Sequence, residues 1–132
     1  EKMCVFPETR REDDFVSVTY NSNIDVDLTD IDNGEVYLQI KARATDGTFY
    51  SMVPDEEVAN TPELRMKPVV DKPGFYRTVI LPVEHFEEII PEGLGILTLI
   101  CYPLKPGFTY PPDTTPWDGI YYETGVPLLD CE

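Results

Sequence analysis

The sequence is poor in the residues on which most enzyme sites depend. His85 is the only histidine, and there are three serines, Ser17, Ser22 and Ser51. No serine lies in a G-x-S-x-G turn, and the chain has no glycine-rich phosphate loop and no H-E-x-x-H zinc motif. The glutamates around His85 predict a surface histidine. We therefore expect a protein that is not an enzyme, with a small carboxylate-dependent hydrolase as the least favoured alternative.

Positive charge and long apolar runs are scarce as well. Ten Lys and Arg residues stand against 25 Asp and Glu residues, which gives a formal net charge of −15. So acidic a surface repels phosphate backbones and anionic lipid, so nucleic acid is an unfavourable partner. No apolar run approaches the roughly 20 residues that a bilayer-spanning helix needs, and we expect no membrane insertion. Cations and basic protein surfaces are the partners that this charge favours, and solubility alone is the alternative role of the charge.

Only three cysteines occur, and their spacing matches no C-x-x-C or zinc pattern. Because domain termini often lie close together, Cys4 and Cys131 are predicted to form a disulfide. Cys101, within the apolar run LGILTLICY, is predicted to be a buried thiol. A pairing of Cys101 with either end, or three free thiols, are the alternatives. A disulfide favours an extracellular or cell-surface location.

Alternation of apolar and polar residues with a period of two is the main structural signal, and it predicts half-buried strands. It occurs in FVSVTY (15–20), NIDVDLT (23–29) and EVYLQIKARA (35–44). The second run predicts Ile24, Val26 and Leu28 facing inward, with Asp25 and Asp27 facing water. The third run predicts Val36, Leu38, Ile40, Ala42 and Ala44 on the inner face, with Tyr37, Gln39, Lys41 and Arg43 on the outer face.

Shorter segments complete an all-β pattern over one domain, residues 1–132. TFYSMV, ELRMKPVV, FYRTVIL, LGILTLICY, GIYYETG and VPLLD read as strands, while PDEEVAN and EHFEEII read as short helical turns. Seven to nine short strands separated by Pro and Gly predict an antiparallel β-sandwich, with a small barrel as the alternative. The segment ATDGTFY (44–50) resembles a turn common in Ig-like and transthyretin-like sandwiches.

Five carboxylates crowd residues 25–35, and they divide into two groups. Asp25 is predicted to lie opposite Lys41, and Asn23 opposite Arg43, on paired strands. The turn TDIDNGE gathers oxygen ligands of the kind that calcium prefers, and a calcium site is one hypothesis for it. Its residues are Asp30, Asp32, Asn33 and Glu35. The EF-hand spacing is absent, and a hydrated turn is the alternative.

A proline-rich segment, residues 101–125, carries six of the chain's aromatic residues. Proline restricts a loop before binding, so its aromatic rings can be presented to a sugar or a basic peptide at low entropic cost. The candidate ligand-binding residues are Tyr110, Asp113, Trp117, Asp118, Tyr121 and Tyr122. Covering of the end of the sandwich is the alternative role of these rings.

Assembly with other protein chains is the function that these features favour. Extracellular sandwich subunits associate by lending a strand to a neighbour, and the apolar residues 3–6 are a candidate for such a strand. Pairing of residues 3–6 within their own sheet is the alternative. We predict a non-enzymatic structural, adhesion or assembly subunit that acts through its acidic surface and edge strands. A module that binds carbohydrate or basic protein through residues 102–122 is the second hypothesis.

Overall fold

Short alternating segments build two antiparallel sheets in the computed structural model, which describes residues 3–6, 15–110 and 120–123. The strands are β1 (Met3–Phe6), β2 (Val16–Asn21), β3 (Tyr37–Ala44), β4 (Phe49–Ser51), β5 (Lys67–Pro68), β6 (Phe75–Ile80), β7 (Ile96–Leu104) and β8 (Ile120–Glu123). The helices are α1 (Asp55–Val58) and α2 (Pro82–His85), and 3-10 turns cover Ser22–Ile24 and Pro62–Leu64. The all-β sandwich that the sequence predicts is confirmed.

The sheets have four strands each among the described residues. The first has the order β1-β2-β6-β5, and the second has the order β4-β3-β7-β8. We call them sheet A and sheet B. Strand β1 pairs with β2 of the same chain, from Met3 opposite Tyr20 to Phe6 opposite Ser17. Residues 3–6 therefore close their own sheet, which was the alternative to a strand lent to a neighbour.

The core lies between the sheets and follows the alternation of the strands. Strand β2 contributes Val16, Val18 and Tyr20, and β3 contributes Leu38 and Ile40, all of them buried. Burial of the aliphatic members of this set contributes roughly 1.5–3 kcal/mol per side chain, so these positions account for much of the stability. The inner face predicted for β3 is confirmed.

The outer face of sheet B is covered more fully than alternation predicts. Tyr37 and Gln39 are buried although they point away from the core between the sheets. Strand β7 lies between β3 and β8 and is buried on both faces, as its continuous apolar sequence predicts. Lys41 is half-buried and Arg43 is exposed, so hydration of this face is restricted to one end.

Most predicted elements are confirmed. TFYSMV, FYRTVIL and GIYYETG contain β4, β6 and β8, PDEEVAN contains α1, and ELRMKPVV contains the edge strand β5. The helical turn predicted at EHFEEII starts earlier, at Pro82, since proline is favoured at a first helical position. VPLLD lies outside the described residues. Within the described part of the chain, no helix has the length and apolar character needed to cross a bilayer.

The strand predicted over NIDVDLT is wrong. Residues 22–24 form a 3-10 turn, because the Asn21 side chain accepts a hydrogen bond from the backbone amide of Asn23 at 3.0 Å. Side chains of Asn and Ser can form local hydrogen bonds to the backbone in place of strand pairing. Here such a bond turns the chain away from the sheet at the end of β2. The predicted pairing with Lys41 and Arg43 is wrong too, since β3 pairs with β4 on one side and with β7 on the other.

Gly74 ties this diverted segment to the turn between β5 and β6. Gly74 has a φ of 85°, and a Cβ at this position would overlap the side-chain amide of Asn23, which donates to the carbonyl oxygen of Pro73 at 3.0 Å. Gly47 has a φ of 83° but would meet no atom within 4 Å. The two glycines therefore share backbone strain and differ in the space around them.

We predict that Gly74→Ala destabilises the protein more than Gly47→Ala. The control should lower the free energy of unfolding by about 1 kcal/mol, for the left-handed backbone alone. Gly74→Ala should lose roughly 1 kcal/mol more, because the Asn23 hydrogen bond is displaced. Urea denaturation of both variants measures the difference. Equal values would mean that the contact between Asn23 and this turn does not stabilise the fold.

Candidate functional site

Asp25 is a buried structural carboxylate and does not face water as predicted. It is 7% exposed, whereas Ile24 is 52% and Val26 87% exposed, so the predicted faces are reversed at these three positions. The Asp25 carboxylate accepts a hydrogen bond from the Tyr20 hydroxyl at 2.7 Å and from the backbone amide of Asp27 at 3.0 Å. Of the predicted inward residues only Leu28 is buried. The result is an acidic loop, Ile24–Asp32, that exposes two aliphatic side chains.

The turn of residues 29–35, which overlaps the end of this loop, is held by two cations through its backbone carbonyls. The Lys105 ammonium donates to the carbonyl oxygens of Thr29 and Asp30, and the Arg65 guanidinium donates to that of Asn33 at 3.2 Å. Asp30 and Asn33 have positive φ angles, which these residue types tolerate better than most. Cationic side chains therefore occupy carbonyl oxygens that a calcium ion could have used.

The predicted calcium ligands, Asp30, Asp32, Asn33 and Glu35, lie on this turn. Asp32 is tied to Glu35 through backbone atoms, with the Glu35 amide donating to the Asp32 carbonyl at 2.9 Å. Within the described ranges, no three His, Cys, Asp or Glu side chains are placed to hold a metal ion. The geometry thus favours the alternative of a hydrated turn, and calcium binding stays a prediction.

A second tyrosine–carboxylate contact lies on the outer face of sheet B. The Tyr102 hydroxyl donates to Asp55 Oδ1 at 2.7 Å, and the Gln39 amide donates to the same oxygen at 2.9 Å. Burial raises the pKa of Tyr102, and the hydrogen bond to Asp55 raises it further. Burial also raises the pKa of Tyr20, with the Asp25 hydrogen bond as the next cause. Both carboxylates serve as hydrogen-bond acceptors for the fold.

One of the six candidate ligand-binding residues can be placed in full. Tyr110 is half-buried, its hydroxyl donates to the Pro103 carbonyl at 2.7 Å, and its ring packs edge-on against Phe108 at 4.8 Å between centroids. This ring covers the sandwich, which was the alternative role. Tyr121 and Tyr122 lie on β8, and their side chains are outside the described set, as are Asp113, Trp117 and Asp118. A binding site at residues 102–122 stays a prediction.

His85 is less exposed than predicted. The ring is half-buried and packs edge-on against Phe86 at 4.7 Å between centroids. Desolvation lowers its pKa, so the neutral imidazole is favoured. His85 Nε2 and Thr78 Oγ1 are buried without a hydrogen-bond partner, the two such side-chain atoms in the described part of the chain. Both residues line the space between β6 and the core residue Ile40.

The most distinctive surface lies where β5 separates from β6. Strand β5 pairs with β6 at two positions only, Lys67 with Arg77 and Pro68 with Tyr76. The preceding residues lie beside sheet B, because the Met66 amide donates to the Val36 carbonyl at 2.9 Å and Arg65 forms an isolated bridge with Tyr37. On this side of β6, residues 78–80 pair with no strand of the described residues.

Cations and exposed valines surround this unpaired edge. An open groove of about 690 Å³ is lined by Arg65, Lys67, Arg77, Val70 and Val79, with Glu63 as the one carboxylate among the lining residues. Val70 is 82% and Val79 59% exposed, and all three cations are exposed. We call this surface the basic groove.

Two of the cations in the basic groove have neutral hydrogen-bond partners. Arg77 donates to the Thr19 hydroxyl at 3.1 Å, while Arg65 donates to the carbonyl of Asn33.

Sequence reasoning missed the groove because its formation depends on a two-residue strand. The available signal was Arg65 and Lys67, two cations two residues apart in an acidic chain.

Cys101 is a free, buried thiol, as the sequence predicts. The alternative in which it pairs with a terminal cysteine is wrong. Burial raises the pKa of this thiol to about 12, so it stays protonated at neutral pH. Cys4 is half-buried on β1. Cys131 lies outside the described residues, and the disulfide between Cys4 and Cys131 stays a prediction.

We predict that Asp25→Ala lowers the free energy of unfolding by about 2–3 kcal/mol, because the Tyr20 hydroxyl and two backbone amides lose a charged acceptor. Asp32→Ala, which changes an exposed carboxylate of the same loop, should stay within about 0.5 kcal/mol of the parent. Urea denaturation at pH 7 compares them. Similar losses for both variants would show that the buried contacts of Asp25 contribute nothing specific.

Counting thiols with Ellman's reagent tests the cysteine assignments. We expect no rapid reaction of the folded, unreduced protein at pH 8, since Cys101 is inaccessible and protonated. One thiol should react in denaturant without reductant, and none in a Cys101→Ala variant. Three reactive thiols in denaturant would contradict the predicted Cys4–Cys131 disulfide. A rapid reaction of the folded protein that Cys101→Ala abolishes would contradict the burial of Cys101.

The comparisons with known proteins leave the fold and these surfaces as the basis for a functional proposal. No family model matches the chain, and neither the curated proteins nor the solved structures give a match.

Proposed function

We propose that this protein is a non-enzymatic, extracytoplasmic structural subunit that assembles with further copies of itself through the edge of sheet A. The observation that supports this proposal is the edge of β6 at residues 78–80, which pairs with no strand of the described residues on the side of the two-residue strand β5. Unpaired strand edges offer a row of backbone donors and acceptors that another chain can satisfy. The predicted Cys4–Cys131 disulfide supports the extracytoplasmic location.

The apolar surface at this edge also favours a protein partner. Val79 on β6 and Val70 in the turn after β5 are well exposed and line the same groove. An isolated exposed aliphatic side chain is ordinary, but two beside an unpaired strand form a patch whose burial would favour association. Burying apolar surface gives roughly 25 cal/mol per Å², so even a small patch can contribute measurably.

Sedimentation velocity between micromolar and millimolar protein tests the proposal. We expect reversible, concentration-dependent association of the parent protein in 0.15 M salt, where the Debye length of about 8 Å screens much of the repulsion between copies. Val79→Lys should weaken this association at least about tenfold, because a charge at an exposed edge opposes strand pairing and apolar burial.

The matched control is Val83→Lys, which places the same change at an exposed valine on α2, outside the basic groove. It should associate like the parent protein. A parent protein that stays monomeric over the whole concentration range would overturn the proposed function. Equal effects of Val79→Lys and Val83→Lys would overturn the assignment to this edge.

A further inference from the structure

The basic groove and the acidic loop are complementary surfaces of one molecule. The groove combines Arg65, Lys67 and Arg77 with exposed Val70 and Val79. The acidic loop, Ile24–Asp32, combines exposed Ile24 and Val26 with acidic side chains. The groove carries a net positive charge, with three cations against the single carboxylate of Glu63, and among the described residues both surfaces expose aliphatic side chains. Charge complementarity of this kind selects partners and fixes their register.

We propose that the acidic loop of one copy docks in the basic groove of a second copy. This inference rests on the proposed function and names the surfaces that would meet. Val26, at 87% exposed, would bury its side chain against the groove valines, while the loop carboxylates would face the groove cations. The occupant is a second copy because the chain itself carries a surface with the required charge and apolar side chains.

Three of the chain's ten basic residues lie in this one groove. In a protein with a net charge of −15, such a local concentration of cations reduces the repulsion that an approaching acidic segment meets. The hydrogen bonds of Arg65 and Arg77 go to neutral oxygens, so these bonds do not neutralise the positive charge of either side chain. An incoming carboxylate would find charge-assisted hydrogen bonds there.

The position of the two surfaces predicts a closed dimer. They are neighbours in one molecule, because Asn23, which precedes the loop, donates to Pro73 in the turn between β5 and β6, and Arg65 of the groove donates to Asn33, which follows the loop. When two complementary patches lie side by side, a two-fold axis can bring each loop into the groove of the other copy at the same time. The association should therefore stop at two copies.

Charge exchange between the two surfaces tests the proposal by sedimentation velocity in 0.15 M salt. Lys67→Glu and Asp32→Lys both change exposed side chains, and each alone should weaken dimerisation at least about tenfold. An equimolar mixture of the two variants should recover the affinity of the parent protein, because the reversed groove of one meets the reversed loop of the other. In that mixed dimer the second half of the interface is the unmodified pair.

Two further variants test the apolar part of the interface. Val26→Ser should weaken the dimer several-fold without changing the urea midpoint, and Val83→Ser should change neither. Arg43→Glu reverses an exposed cation on β3, outside the basic groove, and should leave dimerisation unchanged. Circular dichroism of each variant verifies that the sheets are retained.

The outcomes separate this inference from the proposed function. If Val79→Lys disrupts association while the mixture of charge variants fails to recover it, the pairing of loop and groove is overturned and assembly through the edge stands. If the parent protein is monomeric, both the proposed function and the docking of the loop in the groove are overturned. Association that continues beyond two copies would overturn the two-fold arrangement. Recovery by the mixture together with a loss in Val26→Ser would establish both the charged and the apolar part of the interface.

Discussion

The crossing of residues 62–68 from one sheet to the other determines the surface of this molecule. The Met66 amide bonds to Val36 beside sheet B, and one residue later Lys67 pairs with Arg77 in sheet A. A segment that joins the layers in this way cannot also follow β6 along its length. The sandwich gains a covalent tie between its sheets, with Leu64 and Met66 buried in the core, and residues 78–80 of β6 pair with β2 but with no described strand on the β5 side. The groove is the geometric result of that crossing.

In the acidic loop, the burial of one side chain likewise causes the exposure of others. Burial of Asp25 gives Tyr20 a strong acceptor and fixes the backbone of Asp27. Because the chain turns to bring this carboxylate inward, Ile24 and Val26 are directed toward solvent. Supplying a hydrogen-bond acceptor to the buried Tyr20 hydroxyl thus exposes aliphatic side chains of the loop. One local backbone conformation therefore buries the hydrogen-bonded Asp25 carboxylate and exposes the Val26 side chain.

Strand periodicity was enough to predict the architecture, and local hydrogen bonding explains where it failed. The inner face of β3 and the two-sided burial of β7 follow directly from hydrophobic pattern. NIDVDLT has the same pattern, but the capping side chain of Asn21 redirects the chain before a strand can form. The burial of Gln39 was also beyond prediction, because it depends on an Asp55 oxygen 16 residues away. The groove could not be predicted, because it depends on the pairing register of β5 with β6, and the hydrophobic pattern does not determine that register.

The buried tyrosines limit the tolerance of the fold to alkali. Tyr20, Tyr102 and Tyr110 all have pKa values raised by burial, and nearby carboxylates raise them further. Above the ordinary phenol value of 10.0, the unfolded chain releases protons that the folded chain retains. Mass action then favours the unfolded state increasingly with each step toward higher pH. The part of the phenolate absorbance that comes from these three tyrosines should consequently appear together with the loss of the sheets.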